Sequence, residues 1–555
     1  PPAVATSTPT PPPAGATPTP TTTAAVVATP TPTATRTPTP IPSVQPKRGG
    51  LIKQSAGEDP QSFDSHTATS AAHNIHNAKI YSNLLWNPKG QEIVPDAAES
   101  YTISADGKTW TFKLRPNVKF HTGYSPAHPR DGTAMTSKDV KWSLEKIMGL
   151  HGQTISARSG WMKEFIDIDR PDNGIEVVDG LTFKLHLRQP FPGLANILVI
   201  GFSSIYPEGI VTNDLKLRPY GSGPFRLKSF QRGALWQYAR NPDYFKPGLP
   251  YLDGWDLVLM DGEAIIQAAF LTHKVDVSGG NPTADNKPVF DKRIASGEIF
   301  SLPYGTGCRP TGVIMNSTKP PFNDLKLRQA VNLAIDREAW NVVVNDGYSE
   351  PHLWLDTGGW GKSVDEILKL PGYRKPHDAD LAEAKRIISE LYPKGLELKM
   401  MSRNTSGYMR ENEFLAGELR KVGINVTVEP VDTATTFSRA EKLDYTIWGY
   451  IFCQTTGTPE ELFGSYFITG GSRNWFGYSD PRVDKGYLDM AATQDPAARK
   501  KKAMALEDIV MEFLPAAPGP VSTSQRLGYS YVKDLPLAIT FYTWEKNELI
   551  WRSDV

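Results

Sequence analysis

The sequence predicts an α/β protein of more than one lobe, carried behind an N-terminal tract that does not fold. Three observations lead there. The chain is 555 residues long, too long for a single hydrophobic core. Helical and strand periodicities alternate between Asp378 and Trp448. Residues 1–45 are mostly Pro, Thr and Ala, with Arg36 the only charge and no aromatic residue.

In that tract each proline lacks a donor and restricts the residue before it, so alternating Thr-Pro sustains neither a helix nor a sheet ladder. It favours extended polyproline II and reaches on the order of 100 Å at about 3.1 Å per residue. A disordered spacer and a surface stalk, O-glycosylated on its threonines, both fit this composition. We read residues 1–45 as a disordered Thr/Pro-rich stalk or linker tethering a globular head to an envelope.

From Arg48 onward the composition is globular. The segments 106–116 and 179–188 echo each other, each an Asp-Gly turn followed by period-two alternation, the pattern of a half-buried hairpin strand. In the first, Trp110, Phe112 and Leu114 share a face. Between the two, Thr136 or Ser137 caps a helix bearing Val140, Leu144 and Ile147 at helical spacing. Further on, Leu381, Ala384, Ile388 and Leu391 make a helical stripe with Asp378 placed to cap it. A strand through Leu396, Leu398 and Met400 follows, then a helix through Phe414, Leu415, Leu419 and Val422 that stops at Gly423. Ile424, Val426 and Val428 form another strand, a short helix surrounds Phe437, and Tyr445–Trp448 reads as a strand. Such alternation implies βαβ units and a largely parallel sheet. A last helix carries Ala503, Leu506, Ile509, Val510 and Phe513 and ends before Pro515.

The composition narrows the function. Lys+Arg and Asp+Glu number 60 each, for a formal net charge of zero, so the basic field that nucleic acid requires is missing. The longest apolar stretch, Leu194–Ile200, falls far short of a membrane span. The chain opens on Pro1 without a signal peptide, as a processed chain would. Cys308 and Cys453 are the only cysteines, and their spacing excludes CxxC redox motifs and thiolate zinc sites. One long-range disulfide and two buried thiols both remain open. There is no GxSxG, Walker A or HExxH motif, and Gly221-Ser222-Gly223 continues as Pro224-Phe225 rather than a dinucleotide loop. Cys308 beside Arg309 has no histidine tied to it. We expect no catalysis and no cofactor. His66, His73 and His76 cluster, but without a glutamate in a metal-binding pattern, and read as exposed loop histidines rather than nickel or other metal ligands.

Thirteen tryptophans are more than a core ordinarily needs. Trp161, Trp354, Trp360 and Trp475 lie in stretches that read as loops, where aromatics suit a cleft packing flat sugars or peptide side chains; ordinary packing is the competing reading. Trp110 and Trp142, on amphipathic elements, read as core.

A succession of segments carries a family resemblance: Gly49-Gly50-Leu51 with Asp59-Pro60 and Phe63-Asp64; Pro95-Asp96-Ala97-Ala98-Glu99-Ser100; 106–115; Val118 to Gly123; Asp131 to Val140; Gly221 to Phe225; Arg240 to Phe245; Pro320 to Asp324 with Arg328-Gln329-Ala330; and Trp475 to Asp484. Together they resemble family 5 of the extracellular solute-binding proteins, the oligopeptide, dipeptide and nickel binders of ATP-binding-cassette importers. The resemblance covers nearly everything after residue 46. It implies a two-lobed periplasmic-binding-protein fold of the large cluster C type with an extra subdomain. Lobe one would take 46–306, including an inserted subdomain at about 81–219, and the C-terminal return 522–555; lobe two would take 307–521. The implied function is an extracytoplasmic receptor, at the cell surface or in the periplasm and anchored through a processed N-terminus, that captures a peptide, oligosaccharide or similar polar solute and delivers it to a membrane permease.

Carried over position by position, the resemblance places ligand contacts at Thr69, Ser70 and Ala71, at Gly279, Gly280 and Asn281 in the stretch after Val275-Asp276, and at Trp448, Tyr450 and Asn474. One departure matters. Many peptide binders carry an aspartate just after the Gly-Trp of the 448 strand, pairing with the ligand's ammonium. Here Gly449 to Thr456 contains no carboxylate, and an unpaired buried ammonium is costly, which favours an oligosaccharide or another neutral polar solute. Cys308 and Cys453 lie in segments bridged by a disulfide in some relatives. A different class of function, a binding-protein fold reused as a self-assembling subunit of a surface filament or layer, is motivated by the Thr/Pro tract.

Overall fold

A computed structural model describes residues 45–555 apart from 61, 68–71, 90–91, 153–155, 157–158, 305–307, 358, 454–457, 472 and 537–544. The Thr/Pro stalk expected over 1–45 therefore lies almost wholly outside the described residues.

Two sheets organise the rest. The larger has seven strands in the order Ile299–Tyr304, Ser524–Tyr529, Val277–Gly279, Leu51–Ala56, Gly254–Leu259, Leu235–Arg240 and Phe225–Gln231. Its three central strands are parallel and the flanking pairs antiparallel. Ile52, Trp255, Leu257 and Val277 form the core of one face, while Phe270, Phe290 and Leu527 pack beneath the other. The second sheet runs Ile424–Val431, Leu396–Arg403, Ile447–Cys453, Cys308–Met315 and Ala516–Pro518. Four of its strands run in one direction, and Cys308–Met315 alone runs against its neighbours. The largely parallel sheet expected from the βαβ alternation is found, with one reversed strand that comes from outside the alternating stretch.

The two echoing sequence segments are neighbours. Thr109–Leu114 and Thr182–His186 pair antiparallel, Phe112 opposite Phe183 with stacked rings 5.1 Å apart, within a separate four-stranded sheet. Between them the helix Ser137–Ile147 begins at Thr136 with a reciprocal Thr136–Asp139 capping box, which satisfies two otherwise orphaned amides. Trp110 is buried as expected, but Trp142 is only half-buried, stacked on His151 at 4.1 Å with its indole N–H on the Ile210 carbonyl. The helix Asp378–Leu391 starts one residue earlier than expected: His377 is its N-cap, Asp378 is its first residue and no side chain caps it.

Buried charge ties distant segments together. Asp96 accepts from Lys246 at 2.8 Å and Lys546 at 2.7 Å, and Lys246 also reaches Glu548 at 2.7 Å. This balanced cluster clamps the C-terminal return to the base of the four-stranded subdomain. Asp64 and Lys146, both fully buried, pair at 2.8 Å.

The three clustered histidines are not exposed loop residues. His66, His73 and His76 are each 1% exposed, the last two on the helix Ala72–Asn77 that covers the large sheet. His66 lies over the Tyr206 ring and donates from Nε2 to the Ser204 carbonyl at 2.7 Å; His76 bonds the Tyr238 hydroxyl and the Glu58 carbonyl. Their polarity hid them, since histidine alone does not distinguish a satisfied core position from a surface one. Burial pushes His66 and His76 down to about 3 and the likewise buried His121 down to about 4, from an ordinary 6.5. The unfolded chain takes up these protons below pH 6.5 and the folded chain does not. Stability contributed by the three neutral rings is therefore complete above pH 6.5 and lost as pH falls toward 3–4, at about 1.4 kcal/mol per pH unit for each. Urea denaturation between pH 7.5 and 5 should show this loss, and His66→Gln should remove one proton from the slope; a pH-independent unfolding free energy would contradict the assignment.

Candidate functional site

The two sheets are joined twice. The chain leaves the large sheet after Tyr304 and enters the second at Cys308, then returns from Pro518 to Ser524. Because the flanking strands pair on each side, the two crossings run next to each other. Thr523, in the return crossing, is held from both sides. Its amide donates to the Tyr348 carbonyl at 2.7 Å, and its own carbonyl accepts from Asn281 Nδ2 at 2.7 Å.

Chain direction then determines which strand ends face the crossings. Val277–Gly279 runs parallel to Leu51–Ala56 and ends at Gly279, in register with Arg526 near the start of the strand leaving the hinge. In the second sheet, Ile447–Cys453 and Leu396–Arg403 run parallel, and Cys453 ends opposite Cys308. Both sheets therefore present carboxyl ends of parallel strands beside the hinge, the place where open α/β sheets bind ligands.

The expected residues distribute unevenly over this site. Gly279 is exposed, Gly280 has φ +107°, and a Cβ at either would meet nothing within 4 Å. Asn281 is half-buried and serves the hinge bond already described. Trp448 and Tyr450 sit on the strand end of the second sheet, buried in an aromatic cluster: their rings lie 4.3 Å apart, with Trp475 at 5.4 Å and 5.5 Å and Phe437 at 6.2 Å and 5.7 Å. Trp354, though in a loop, is fully buried against Phe452 and Phe467. Trp360 is half-buried under the Arg499 guanidinium at 4.9 Å. Asn474 braces its own loop, donating to the Ile468 and Tyr478 carbonyls and accepting from the Tyr478 amide. Trp161 falls on the helix Ser159–Phe165. Thr69, Ser70 and Ala71 lie outside the described residues.

Sequence reasoning missed the charged part of this wall. Arg403, at the end of its strand, lies 4.9 Å from the Tyr408 ring and donates from Nη2 to the Thr433 hydroxyl at 3.1 Å. Arg473 donates to the Tyr466 hydroxyl at 2.9 Å. Burial raises the Tyr450 hydroxyl pKa, while both arginines act to lower it, so their charge is felt at the strand end. The indole N–H groups of Trp448 and Trp475 are buried and find no acceptor. The wall is rich in donors, and its strand has no acid. Arg403 could have been found by looking at the carboxyl end of its strand, where parallel sheets place their ligand contacts; Arg473, twenty residues past Cys453, carries no such local signal.

Among the described residues, one group could hold a metal: Asp172, Glu176 and His186, with ligand atoms within 4.8 Å of one another. Arg170 already bonds both oxygens of Asp172, and Lys184 and His186 bond Glu176, so cations of the protein's own occupy these acids. No helix of the described residues is long and apolar enough to cross a membrane.

Comparison with known proteins follows the same geometry. The family model "Bacterial extracellular solute-binding proteins, family 5 Middle" matches residues 92–474. The glutathione-binding protein GsiB of Pectobacterium atrosepticum is 26% identical over 463 residues, covering 80% of this chain and 84% of the relative. That of Escherichia coli K12 is 25% identical over 482 residues, covering 84% and 87%. Among solved structures, the periplasmic binding protein DppA of Helicobacter pylori, in complex with the peptide STSA, superposes with a TM-score of 0.73 at 20% identity, covering 91% of this chain and 98% of its own. AgaA of A. tumefaciens R10, in complex with agropinic acid, gives 0.73 at 24% identity, covering 91% and 99%.

Gly449 separates Trp448 from Tyr450, and an added methyl would lie 1.6 Å from Asn412 Oδ1. Gly449→Ala should therefore destabilise the protein by about 1–3 kcal/mol through overpacking. Adding Asn412→Ala should recover part of that loss in a double-mutant cycle read by denaturation; strict additivity would show that the contact is not what constrains this strand.

Proposed function

The chain belongs to the bacterial extracellular solute-binding proteins of family 5, and we propose that it is a receptor that captures a short peptide or peptide-like solute between its two lobes and delivers it to the permease of an ATP-binding-cassette importer. The observation that carries this reading is the donor-rich wall at the hinge-facing end of the second sheet. Arg403 and the indoles of Trp448 and Trp475 offer hydrogen-bond donors, Arg473 adds its charge with Glu461 opposing it, and the strand Ile447–Cys453 carries no acid. Such a wall suits the carboxylates and carbonyls of a peptide. A free ammonium finds no acid on that strand among its described residues.

Two further considerations support a peptide-like solute over the oligosaccharide that the missing aspartate favoured. Trp354, Trp448 and Trp475 are packed edge and face against other aromatics rather than laid open as platforms for sugar rings. The relatives named above bind glutathione, a peptide and agropinic acid. Closure of the lobes would shift an open–closed equilibrium through contacts made by the solute in the closed state alone. The hinge bond at Asn281, the open strand end at Gly279–Gly280 and the loop 69–71 belong to the lobe-one side of this reading. The Thr/Pro tract serves it as a spacer between receptor and envelope.

The cysteines fit the same picture. Cys308 and Cys453 are register partners on antiparallel strands, and such partners have Cα atoms about 4.5–5.5 Å apart, within disulfide range. In an oxidising compartment we expect them to be bonded, closing the end of the sheet beside the hinge.

Titration of the purified protein with glutathione, short peptides and oligosaccharides, followed by calorimetry and tryptophan fluorescence, tests the reading. A peptide or glutathione should raise stability by about 2.7 kcal/mol at a concentration one hundred times its Kd. Arg403→Ala should weaken that binding roughly 10–100-fold through loss of a charge-assisted bond. Binding of oligosaccharides alone, or of none of these solutes, would sink the peptide assignment.

A further inference from the structure

On the large sheet, one buried cluster has more positive charge than the protein itself neutralises. Arg526 is 3% exposed. It donates from Nη2 to Glu545 Oε1 at 2.5 Å and lies 4.2 Å from the Tyr304 ring, while its Nη1 is buried without an acceptor. Lys79 is fully buried, 5.2 Å from the Trp255 ring, and its ammonium donates to the Ile75 carbonyl at 2.8 Å. Among the described residues no carboxylate is bonded to it. Burial pushes Lys79 down to about 7, with Glu545 opposing and Arg526 adding to the shift. Glu545, bonded to Arg526, is thus the one carboxylate bonded to either base among the described residues, in a setting where an uncompensated charge is expensive.

The place of the cluster gives this imbalance a use. Arg526 and Gly279 are register partners on antiparallel strands, so their side-chain positions lie on the same face of the sheet, about 4.5–5.5 Å apart at Cβ. In front of Gly279 is open space, with nothing within 4 Å of an added Cβ. Arg526 also stands three residues past Thr523, at the end of the sheet that borders the hinge. An orphaned guanidinium N–H and an unoccupied position therefore share one face at the hinge end of lobe one.

We propose that Lys79, Arg526 and Glu545 form an anion-accepting subsite in lobe one, completed by a carboxylate of the bound solute that occupies the space before Gly279. This rests on the receptor reading and extends it: the solute carries a carboxylate at its lobe-one end, in addition to whatever meets the arginines of lobe two. Loss of the subsite's counter-charge on release leaves Lys79 and Arg526 competing for Glu545, so the empty receptor bears the cost of the excess cation.

Gly279 supplies the test, because its φ is not in the positive region and its Cβ position is open. Gly279→Asp in the full chain provides the missing carboxylate internally, and Gly279→Asn fills the same space without charge. At pH 6, Gly279→Asp is expected to melt about 2–4 °C above Gly279→Asn, and the difference should vanish in a Lys79→Met background. Glutathione and a tetrapeptide, each as free acid and as methyl ester, are then titrated against the natural chain and both variants. The acid should bind about tenfold more tightly than the ester to the natural chain, and Gly279→Asp should lose this preference. Equal melting of the Asp and Asn variants, or equal binding of acid and ester, overturns the subsite. If acid and ester bind equally well, the receptor reading stands without it. If neither peptide binds, the peptide assignment fails, and the melting comparison still decides whether the cation cluster accepts a carboxylate.

Discussion

Thr523 bridges the two lobes, and the geometry around it follows from that. Its amide and its hydroxyl both donate to the Tyr348 carbonyl of the second lobe, and its carbonyl accepts from Asn281 of the first. The neighbouring crossing is forced alongside, since Ile299–Tyr304 pairs with Ser524–Tyr529 on one side and Cys308–Met315 with Ala516–Pro518 on the other. Two adjacent crossings permit rotation of one sheet against the other and resist most other motions. They also determine which ends of the strands face each other. Parallel strands that run toward the hinge deliver their carboxyl ends there from both lobes, and the loops that follow become the walls of a site.

Charge is distributed to match. Several buried ions are balanced within the protein: Asp96 and Glu548 against Lys246 and Lys546, Asp64 against Lys146. The first cluster holds segments 450 residues apart and the second segments 82 apart, and removing one partner from either would leave a costly buried charge. Near the hinge the balance shifts toward donors. The second lobe contributes Arg403, and Arg473 with Glu461, beside an acid-free strand, and the first contributes Lys79 and Arg526 with Glu545 as their one acid among the described residues. If the solute is enclosed there, as proposed, a formally neutral protein meets it with basic side chains, which is how a binding site gains selectivity for anionic groups without a basic surface.

Much of this was legible along the chain. Period-two alternation after Asp-Gly turns located Thr109–Leu114 and Thr182–His186, and helical stripes located the helices from Asp378 to Phe513. Those signals are local: each follows from which side chains one element must bury. The family itself followed from short segments spread over some five hundred residues, and the match over 92–474 agrees. The roles of single residues were far less legible. Trp354 and Trp475 read as loop aromatics and are indeed in loops, yet both are buried against other rings. His66, His73 and His76 read as surface residues and are core.

The same division separates the two kinds of knowledge about this protein. Composition and periodicity were enough for its class: α/β, more than one lobe, no basic field, no membrane-spanning stretch and no catalytic motif. Each of these depends on residues close together in the chain or on sums over it. Tertiary structure alone decided the register that sets Gly279 beside Arg526, the neighbourhood of Lys79, Arg526 and Glu545 across more than four hundred and fifty residues, and the direction in which both sheets end. Hydrogen-bonded register and buried electrostatics depend on what surrounds a residue in space, and no local pattern encodes that. More than one lobe therefore follows from the chain alone, whereas what lies between the lobes is decided by contacts in space.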